Sequence, residues 1–237
     1  GKNKLRYVAI GKVIEEIRHL HDRYGQKYFV IWDDMFIANK GRIRDFCEAI
    51  HREKLDIRWD CLAHAKMLDL ETLTLMKKAG CKEVQVGMES GSDRVLKFIN
   101  KNTTRKELQE RTALVKAAGL RLLIFAILGL PSETEAEMFA TMDFIRTLGA
   151  DWVRISFIAP QPGSQFFTEM SKVDPRMDAD FYLFDTSKPC NNHTGTVTEK
   201  RFHEIAMASI DYIDLYNRGK IAIDFSAYFK KRKLRKE

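Results

Sequence analysis

The sequence contains no apolar run long enough to cross a membrane. Its longest apolar stretch runs from Leu120 to Leu130 and is interrupted by Arg121, whereas a transmembrane helix needs about 20 consecutive apolar residues. Cysteines are few, and they lie far apart at Cys47, Cys61, Cys81 and Cys190. This scatter is not typical of a disulfide framework. We therefore expect a cytoplasmic protein whose cysteines are buried or partly buried thiols.

Three common catalytic arrangements are also missing. No Ser–His–Asp set can be placed, and no glycine-rich phosphate loop is present. The segment Phe202-His203-Glu204 lacks the second histidine that a zinc-binding H-E-x-x-H helix requires. The sequence thus offers no hydrolase triad, no phosphate loop and no zinc helix.

Most of the net positive charge lies at the C-terminus. The formal net charge is +7, and residues 230–237 supply +5 of it through six basic side chains less Glu237. A basic tail can contact nucleic acid or anionic lipid, but it is more often a solvated end or the start of a linker. We interpret this tail in the second way and expect no nucleic-acid partner.

Helices that stop at a glycine and lead into an apolar strand dominate the pattern. The stops are Gly25, Gly80, Gly119 and Gly149, as expected because glycine readily takes the left-handed conformation at a helix end. The predicted strands are 27–32, 56–62, 82–87, 120–128 and 151–158. Strands that alternate with helices imply right-handed βαβ units and a parallel sheet. The chain of 237 residues is long enough for one such domain.

The remaining segments complete the predicted organisation. Helices are expected over 9–24 and 197–217, and Ser132 has capping-box spacing with Glu135 at the start of another helix. Residues 160–195 lack clear periodicity and are interpreted as a long functional loop or substrate lid. Residues 221–225 are expected to form a short strand or a connector. We therefore divide the chain into a core barrel, 1–170, and a C-terminal loop, helix and basic tail, 171–237.

Polar side chains occur where the predicted strands end, which is where parallel α/β barrels bind their ligands. In chain order they are Asp33 and Asp34, then Glu89 and Ser90, then Glu133, then the turn 160–164. Converging carboxylates with no obvious basic partner nearby suit a cationic ligand.

Each of these signals also has a purely structural explanation. Asp33-Asp34 could be a helix N-cap in an exposed turn, and Glu89-Ser90-Gly91-Ser92 could cap the next helix. The turn 129–134 could simply join a strand to a capped helix. Their occurrence in order, on successive strand ends, favours a shared pocket.

The same motifs resemble the radical S-adenosylmethionine (SAM) superfamily, in particular the branch that often carries a cobalamin-binding domain. The motifs are Asp33-Asp34-Met35-Phe36, Gly87-Met88-Glu89-Ser90-Gly91, Gly129-Leu130-Pro131-Ser132-Glu133-Thr134 and Pro160-Gln161-Pro162-Gly163-Ser164. The resemblance extends from about residue 8 to residue 170. It implies an α/β fold, a partial (β/α)6 TIM-like barrel from which the first strand is missing.

The resemblance also implies which residues bind SAM. Acidic contacts to the SAM amino group would come from Asp33 and Asp34, whereas Glu89 and Ser90 would lie near the carboxylate and ribose. The adenine would be packed by Ile127, Gly129, Pro131, Glu133, Phe157, Pro160 and Gly163. No catalytic residue is assigned, and no metal ligand is expected in this chain.

Two departures from the family pattern matter. Family members hold a [4Fe-4S] cluster on a C-x3-C-x2-C loop, and no two cysteines here have that spacing. Since the chain begins Gly1-Lys2-Asn3 without Met, we expect the cluster loop upstream and expect the chain to be inactive by itself. At the third strand, His64 stands where relatives often have Arg, so no Arg contact is carried over. Cys61 is expected to pack rather than to ligate the cluster.

The sequence therefore supports the SAM-binding core of a radical SAM enzyme. The intact parent would cleave SAM reductively at a [4Fe-4S] cluster or methylate through cobalamin. Two alternatives stay open, namely a tRNA-modifying methylthiotransferase-like protein and a non-catalytic SAM-binding barrel. The expected partners are an upstream cluster loop, a cobalamin domain and a small-molecule or peptide substrate that the sequence does not specify.

Overall fold

A computed structural model describes residues 7–33, 36–172, 186–187, 189 and 192–234. The strands are β1 (Tyr28–Ile31), β2 (Arg58–Ala63), β3 (Cys81–Glu89), β4 (Arg121–Leu128) and β5 (Trp152–Phe157). The helices within the described ranges are α1 (Ile10–Tyr24), α2 (Lys40–Arg52), α3 (Leu70–Lys78), α4 (Asp93–Phe98), α5 (Arg105–Ala117), α6 (Glu135–Thr147), α7 (Gln165–Met170), α8 (Glu199–Asn217) and α9 (Phe225–Leu234). None of the helices in these ranges is both long and apolar enough to span a bilayer.

The five strands form one sheet in the order β1-β2-β3-β4-β5. Tyr28 is opposite Arg58 where β1 runs parallel to β2, and Ala63 is opposite Val86 where β2 runs parallel to β3. Helices follow the strands along the chain, so that each crossover returns the chain to the same end of the sheet. The predicted α/β partial barrel is confirmed.

The chain divides into two compact units, of which the first comprises Gly1–Gly87 and Glu107–Leu123. Its core contains three aromatic rings, Phe36, Phe46 and Trp59, that meet edge to face with centroids 5.4 to 5.9 Å apart. The indole N–H of Trp59 donates to the Ala79 carbonyl at 2.9 Å. A fully buried Trp is thereby left with no unmet donor.

The second unit comprises Met88–Lys106 and Ile124–Glu237. The side chain of Asn217, at the end of α8, bonds both backbone groups of Val153 on β5, with each N···O distance 2.8 Å. Asn217 therefore takes the place of a neighbouring strand for one residue of β5.

Three details differ from the sequence-based expectations. Helix α6 begins at Glu135 with Thr134 and Glu137 as its capping box, so the predicted Ser132–Glu135 box is wrong; Ser132 instead takes a left-handed conformation, φ 61°. Helix α7 lies inside the segment predicted as a loop, because Ser164 caps it. Residues 221–224 form no strand and lead directly into α9, which supports the connector alternative.

The predicted glycine stops are confirmed, and Gly25 shows why they work. Its φ is 66°, its N–H donates to the His21 carbonyl at 3.0 Å, and the N–H of the following Gln26 donates to the Leu20 carbonyl at 3.3 Å. The last carbonyls of α1 are satisfied in this way without the steric penalty that a Cβ would add.

Candidate functional site

The turn from β3 to α4 carries two of the predicted site residues. Glu89 ends the strand with φ 64°, an uncommon conformation for a residue other than glycine that warrants a search for function. Ser90 follows it and is fully buried. The Ser90 N–H donates to the Met88 carbonyl at 2.9 Å, so the chain reverses sharply at the strand end.

This turn packs closely against helix α6. The Ser90 and Thr141 hydroxyls are 3.2 Å apart, and the Gly91 N–H donates to Thr141 Oγ1 at 2.9 Å. A Cβ on Gly91 would lie 2.6 Å from the Thr141 Cα. Only glycine allows the two backbones to approach this closely.

Glu89 has a basic partner that the sequence did not reveal. Lys101 Nζ donates to Glu89 Oε1 at 2.7 Å, and the two side chains are only 17% and 19% exposed. The expectation of carboxylates without a local basic partner is therefore wrong for Glu89. Lys101 lies between Asn100 and Asn102, both with positive φ. Since asparagine enters the left-handed conformation more readily than most residues, the Asn-Lys-Asn pattern was the sequence signal for a turn at Lys101.

The turn from β4 to α6 is organised by the carboxylate of Glu133. Its Oε2 accepts the backbone N–H groups of Gly129 at 2.9 Å and Leu130 at 3.1 Å. The segment before α8 closes over the turn, because the Ser132 N–H donates to the Thr194 carbonyl at 2.9 Å and Thr196 Oγ1 donates to the Glu133 carbonyl at 2.5 Å. The turn is therefore fixed both by its own Glu133 side chain and by hydrogen bonds to the segment before α8.

Glu133 itself is fully buried, and its Oε1 has no hydrogen-bond partner among the described residues. Burial raises the pKa of Glu133 to about 8, although the two backbone N–H groups oppose the shift. Near neutral pH a large fraction of this carboxyl is protonated. Its second oxygen is therefore a buried polar atom available to a ligand or a water molecule.

The neighbouring glycine leaves room for an aromatic ring. Gly129 has φ 83°, and a Cβ there would lie 2.8 Å from Cζ of Phe202. Phe202 meets Phe157 edge to face with centroids 6.2 Å apart. The predicted residues Gly129 and Phe157 are thus brought together around Phe202 of α8. From the sequence, Phe202 was expected only as part of the helix over 197–217.

The other predicted residues of the second unit differ in burial. Pro160 is buried, Ile127 and Pro131 are partly exposed, and Gly163 is exposed. Gly163 has φ 87° with open space around its Cβ position, and it leads into the Ser164 cap of α7.

Two of the predicted site residues, Asp33 and Asp34, belong to the first unit. Asp33 is partly exposed, and its carbonyl accepts the N–H of Phe36 at 3.1 Å. Asp34 lies outside the described residues. Cys61 is fully buried, which agrees with a packing role. His64 caps a short turn, with its Nδ1 accepting the Lys66 N–H at 3.3 Å.

Within the described residues, no group of three His, Cys, Asp or Glu side chains could hold a metal ion. Cys47, Cys61 and Cys81 are fully buried. Burial raises the pKa of Cys47 to about 12 and that of Cys81 well above its ordinary value. Because the thiolate is the form that ligates iron, these three cysteines do not fit an iron–sulfur cluster.

The sequence was compared with models of protein families and with curated proteins. The model of the radical SAM superfamily matches residues 1–145. Among curated proteins, an uncharacterized methyltransferase of Pyrococcus horikoshii is 30% identical over 215 residues, which are 91% of this chain and 46% of that protein. The anaerobic magnesium-protoporphyrin IX monomethyl ester cyclase of Rubrivivax gelatinosus is 26% identical over 177 residues, covering 74% of this chain and 32% of the cyclase.

A solved structure supports the fold. The radical SAM methyltransferase TsrM of Kitasatospora setae, with cobalamin and a [4Fe-4S] cluster bound, matches with a TM-score of 0.55 and 18% identity over 63% of this chain and 31% of TsrM. The present chain spans less than half the length of the two curated relatives described above.

Proposed function

Because the chain belongs to the radical SAM superfamily, we propose that it is the SAM-binding region of a methyl-transferring enzyme, with cobalamin as the methyl carrier in the whole protein. The similarity to the archaeal methyltransferase supports methyl transfer, since it extends over 91% of this chain. The observation that carries SAM binding is the half-buried Glu89–Lys101 pair at the end of β3.

SAM is a zwitterion with an added sulfonium, so it needs both charges at its site. Because Lys101 lies beside Glu89, this proposal changes the sequence-based assignment, which set Asp33 and Asp34 at the amino group and Glu89 near the carboxylate and ribose. Glu89 would attract the ammonium and Lys101 the carboxylate. Each side chain would exchange its present partner for an opposite charge on the ligand. No half-buried charge would then be left uncompensated, which is the main cost of separating such a pair.

The turn Gly129–Glu133 supplies a rigid surface for the adenine. Its backbone conformation is fixed by Glu133 and by the segment before α8. The partly exposed Ile127 and Pro131 would offer apolar surface for the planar base. The remaining predicted contacts of the second unit, from Ser90, Phe157, Pro160 and Gly163, belong to the same proposal.

The chemistry that bound SAM supplies is an activated methyl group. The three buried cysteines do not fit an iron–sulfur cluster, so they would not hold iron for the reaction. The residues of this chain would bind SAM, orient it through Glu89 and Lys101, and keep water from the adenine face.

The binding proposal is tested by equilibrium dialysis with radiolabelled SAM. Lys101→Met should raise Kd at least about tenfold, because a charge-assisted hydrogen bond contributes about 1.5 to 3 kcal/mol. Lys97→Met is the matched control, since Lys97 is exposed on α4, and it should change Kd less than about twofold. Failure of the unaltered chain to retain SAM would overturn the proposal.

Methyl transfer needs a separate test on the whole protein. With a low-potential reductant added to give cob(I)alamin, methyl-labelled SAM should pass its labelled methyl group to cobalamin and leave as S-adenosylhomocysteine, which chromatography of the extracted cobalamin would show. Label that stays in SAM while binding persists would refute methyl transfer and leave SAM binding intact.

A further inference from the structure

We propose that Arg94 is a positioning residue for the SAM site, which holds the β3–α4 turn against the β4–α6 turn. The first turn carries Glu89 and Ser90, and the second carries Gly129 to Glu133. This inference rests on the proposed function and adds a residue to which the sequence assigned no role in the site.

Four of the five N–H donors of the Arg94 guanidinium make hydrogen bonds to Glu137 and Ser132. Its Nε and Nη2 donate to the two carboxylate oxygens of Glu137 at 2.7 and 2.6 Å. Its Nη2 also donates to the Ser132 carbonyl at 2.7 Å, and Nη1 donates to the Ser132 hydroxyl at 3.2 Å. The planar fork of an arginine can make these bonds together, whereas a lysine ammonium cannot reproduce the bidentate geometry.

Glu137 connects Arg94 to both turns. Its Oε2 accepts from the backbone N–H and the hydroxyl of Thr134, at 3.0 and 2.9 Å, which caps α6. Its Oε1 accepts from the Ser92 hydroxyl at 2.8 Å, and Ser92 is the N-cap of α4. One carboxylate thus joins the starts of the two helices that follow the candidate site turns.

The carboxylate of Glu137 stays ionised near neutral pH. The hydrogen bond from Arg94 is the largest cause that lowers the pKa of Glu137 to about 2. Ordinary changes of pH therefore do not release the link.

A second attachment lies one helical turn further along α6. Thr141 bonds Ser90 and Gly91 of the same β3–α4 turn, and residues four apart lie on one face of a helix. The turn is thereby fixed at two points on α6, with Arg94 and Glu137 at one and Thr141 at the other.

Arg94 also supports an unfavourable backbone conformation. Ser132 has φ 61°, a region that L-residues other than glycine seldom occupy. Arg94 bonds both the carbonyl and the hydroxyl of Ser132, so it stabilises the turn that Glu133 shapes from within. Arg94 has four of its five donors bonded to protein oxygens, and we infer that it acts on the ligand through these turns.

The test compares Arg94→Ala with Arg218→Ala. Arg218 pairs with Asp214 on the exposed surface of α8, so it is a matched control. We expect Arg94→Ala to raise Kd for SAM about tenfold and Arg218→Ala to leave Kd within about twofold. Guanidinium chloride at a few millimolar should restore most of the affinity of Arg94→Ala, because the ion can occupy the vacated site, and should not affect Arg218→Ala.

The outcomes separate this inference from the proposed function. If the unaltered chain binds SAM and folded Arg94→Ala binds it equally well, Arg94 is not a positioning residue and SAM binding stands. If the unaltered chain does not bind SAM, the proposed function itself fails. Should Arg94→Ala unfold, Arg94→Lys decides, since it keeps the charge without the fork; full affinity in that variant would overturn the inference.

Discussion

Replacing Glu133 with Gln should remove a specific dependence of stability on pH. In the native state, burial raises the pKa of Glu133 to about 8 from an ordinary value of 4.5. Between these two values the folded protein keeps the proton while the unfolded chain has lost it. The native state then binds more protons than the unfolded state, so the free energy of unfolding falls as pH rises.

The size of the effect follows from proton linkage. One proton of difference changes the free energy of unfolding by about 1.4 kcal/mol per pH unit. Between pH 5.5 and 7.5, Glu133 should therefore contribute a loss of about 3 kcal/mol. The contribution is present in full below pH 4.5 and is lost as pH rises through about 8. Glu133→Gln keeps an oxygen for the N–H groups of Gly129 and Leu130 but has no proton to lose.

Urea unfolding at several pH values, followed by tryptophan fluorescence, to which Trp152 of the second unit contributes, measures this difference. The unaltered chain should lose about 3 kcal/mol more than Glu133→Gln between pH 5.5 and 7.5. Glu169→Gln is the control, because Glu169 is exposed on α7, and it should follow the unaltered chain. Parallel curves for Glu133→Gln and the unaltered chain would refute the reasoning and show that Glu133 is already ionised in the native state at the lower pH.

Two further predictions concern the packing of the second unit. Gly129→Ala should destabilise the chain by about 1 to 3 kcal/mol more than Gly149→Ala in urea unfolding, because the new Cβ meets Phe202 at 2.8 Å whereas Gly149, also with positive φ, has open space; equal losses would mean that only the backbone conformation matters. Asn217→Ala should cost about 1 to 3 kcal/mol by leaving both backbone groups of Val153 unpaired, and hydrogen exchange should show faster exchange of the Val153 amide; unchanged protection there would contradict this account.

The element pattern of the chain was readable from its sequence because its signals are short-range. Glycine stops such as Gly25, apolar runs and alternating periodicity act within a few residues, and the parallel sheet follows from their order. The same locality explains the misplaced start of α6. Ser132-x-x-Glu135 and Thr134-x-x-Glu137 have the same spacing, and the choice between them is made by the left-handed conformation of Ser132 and by the Arg94 contact to Glu137.

Only part of the candidate site could be predicted from the sequence. The order of motifs on successive strand ends led to Glu89, Ser90, Gly129 and Glu133, and to the superfamily that the comparison then showed. The pairing of Glu89 with Lys101 was missed, because it depends on how the chain returns after α4. The burial of Glu133 was missed as well, because a glutamate at a helix start is ordinarily solvated.

By itself the sequence determined the alternation of strands and helices, the glycine stops and the family motifs, all of which depend on neighbouring residues. Tertiary structure decided which charges are paired, which carboxyl is buried and which turns are joined. Arg94 reaches Glu137 across 43 positions of the chain, and Ser90 reaches Thr141 across 51. Contacts over such separations are set by packing, because only the folded backbone brings those positions within hydrogen-bonding distance.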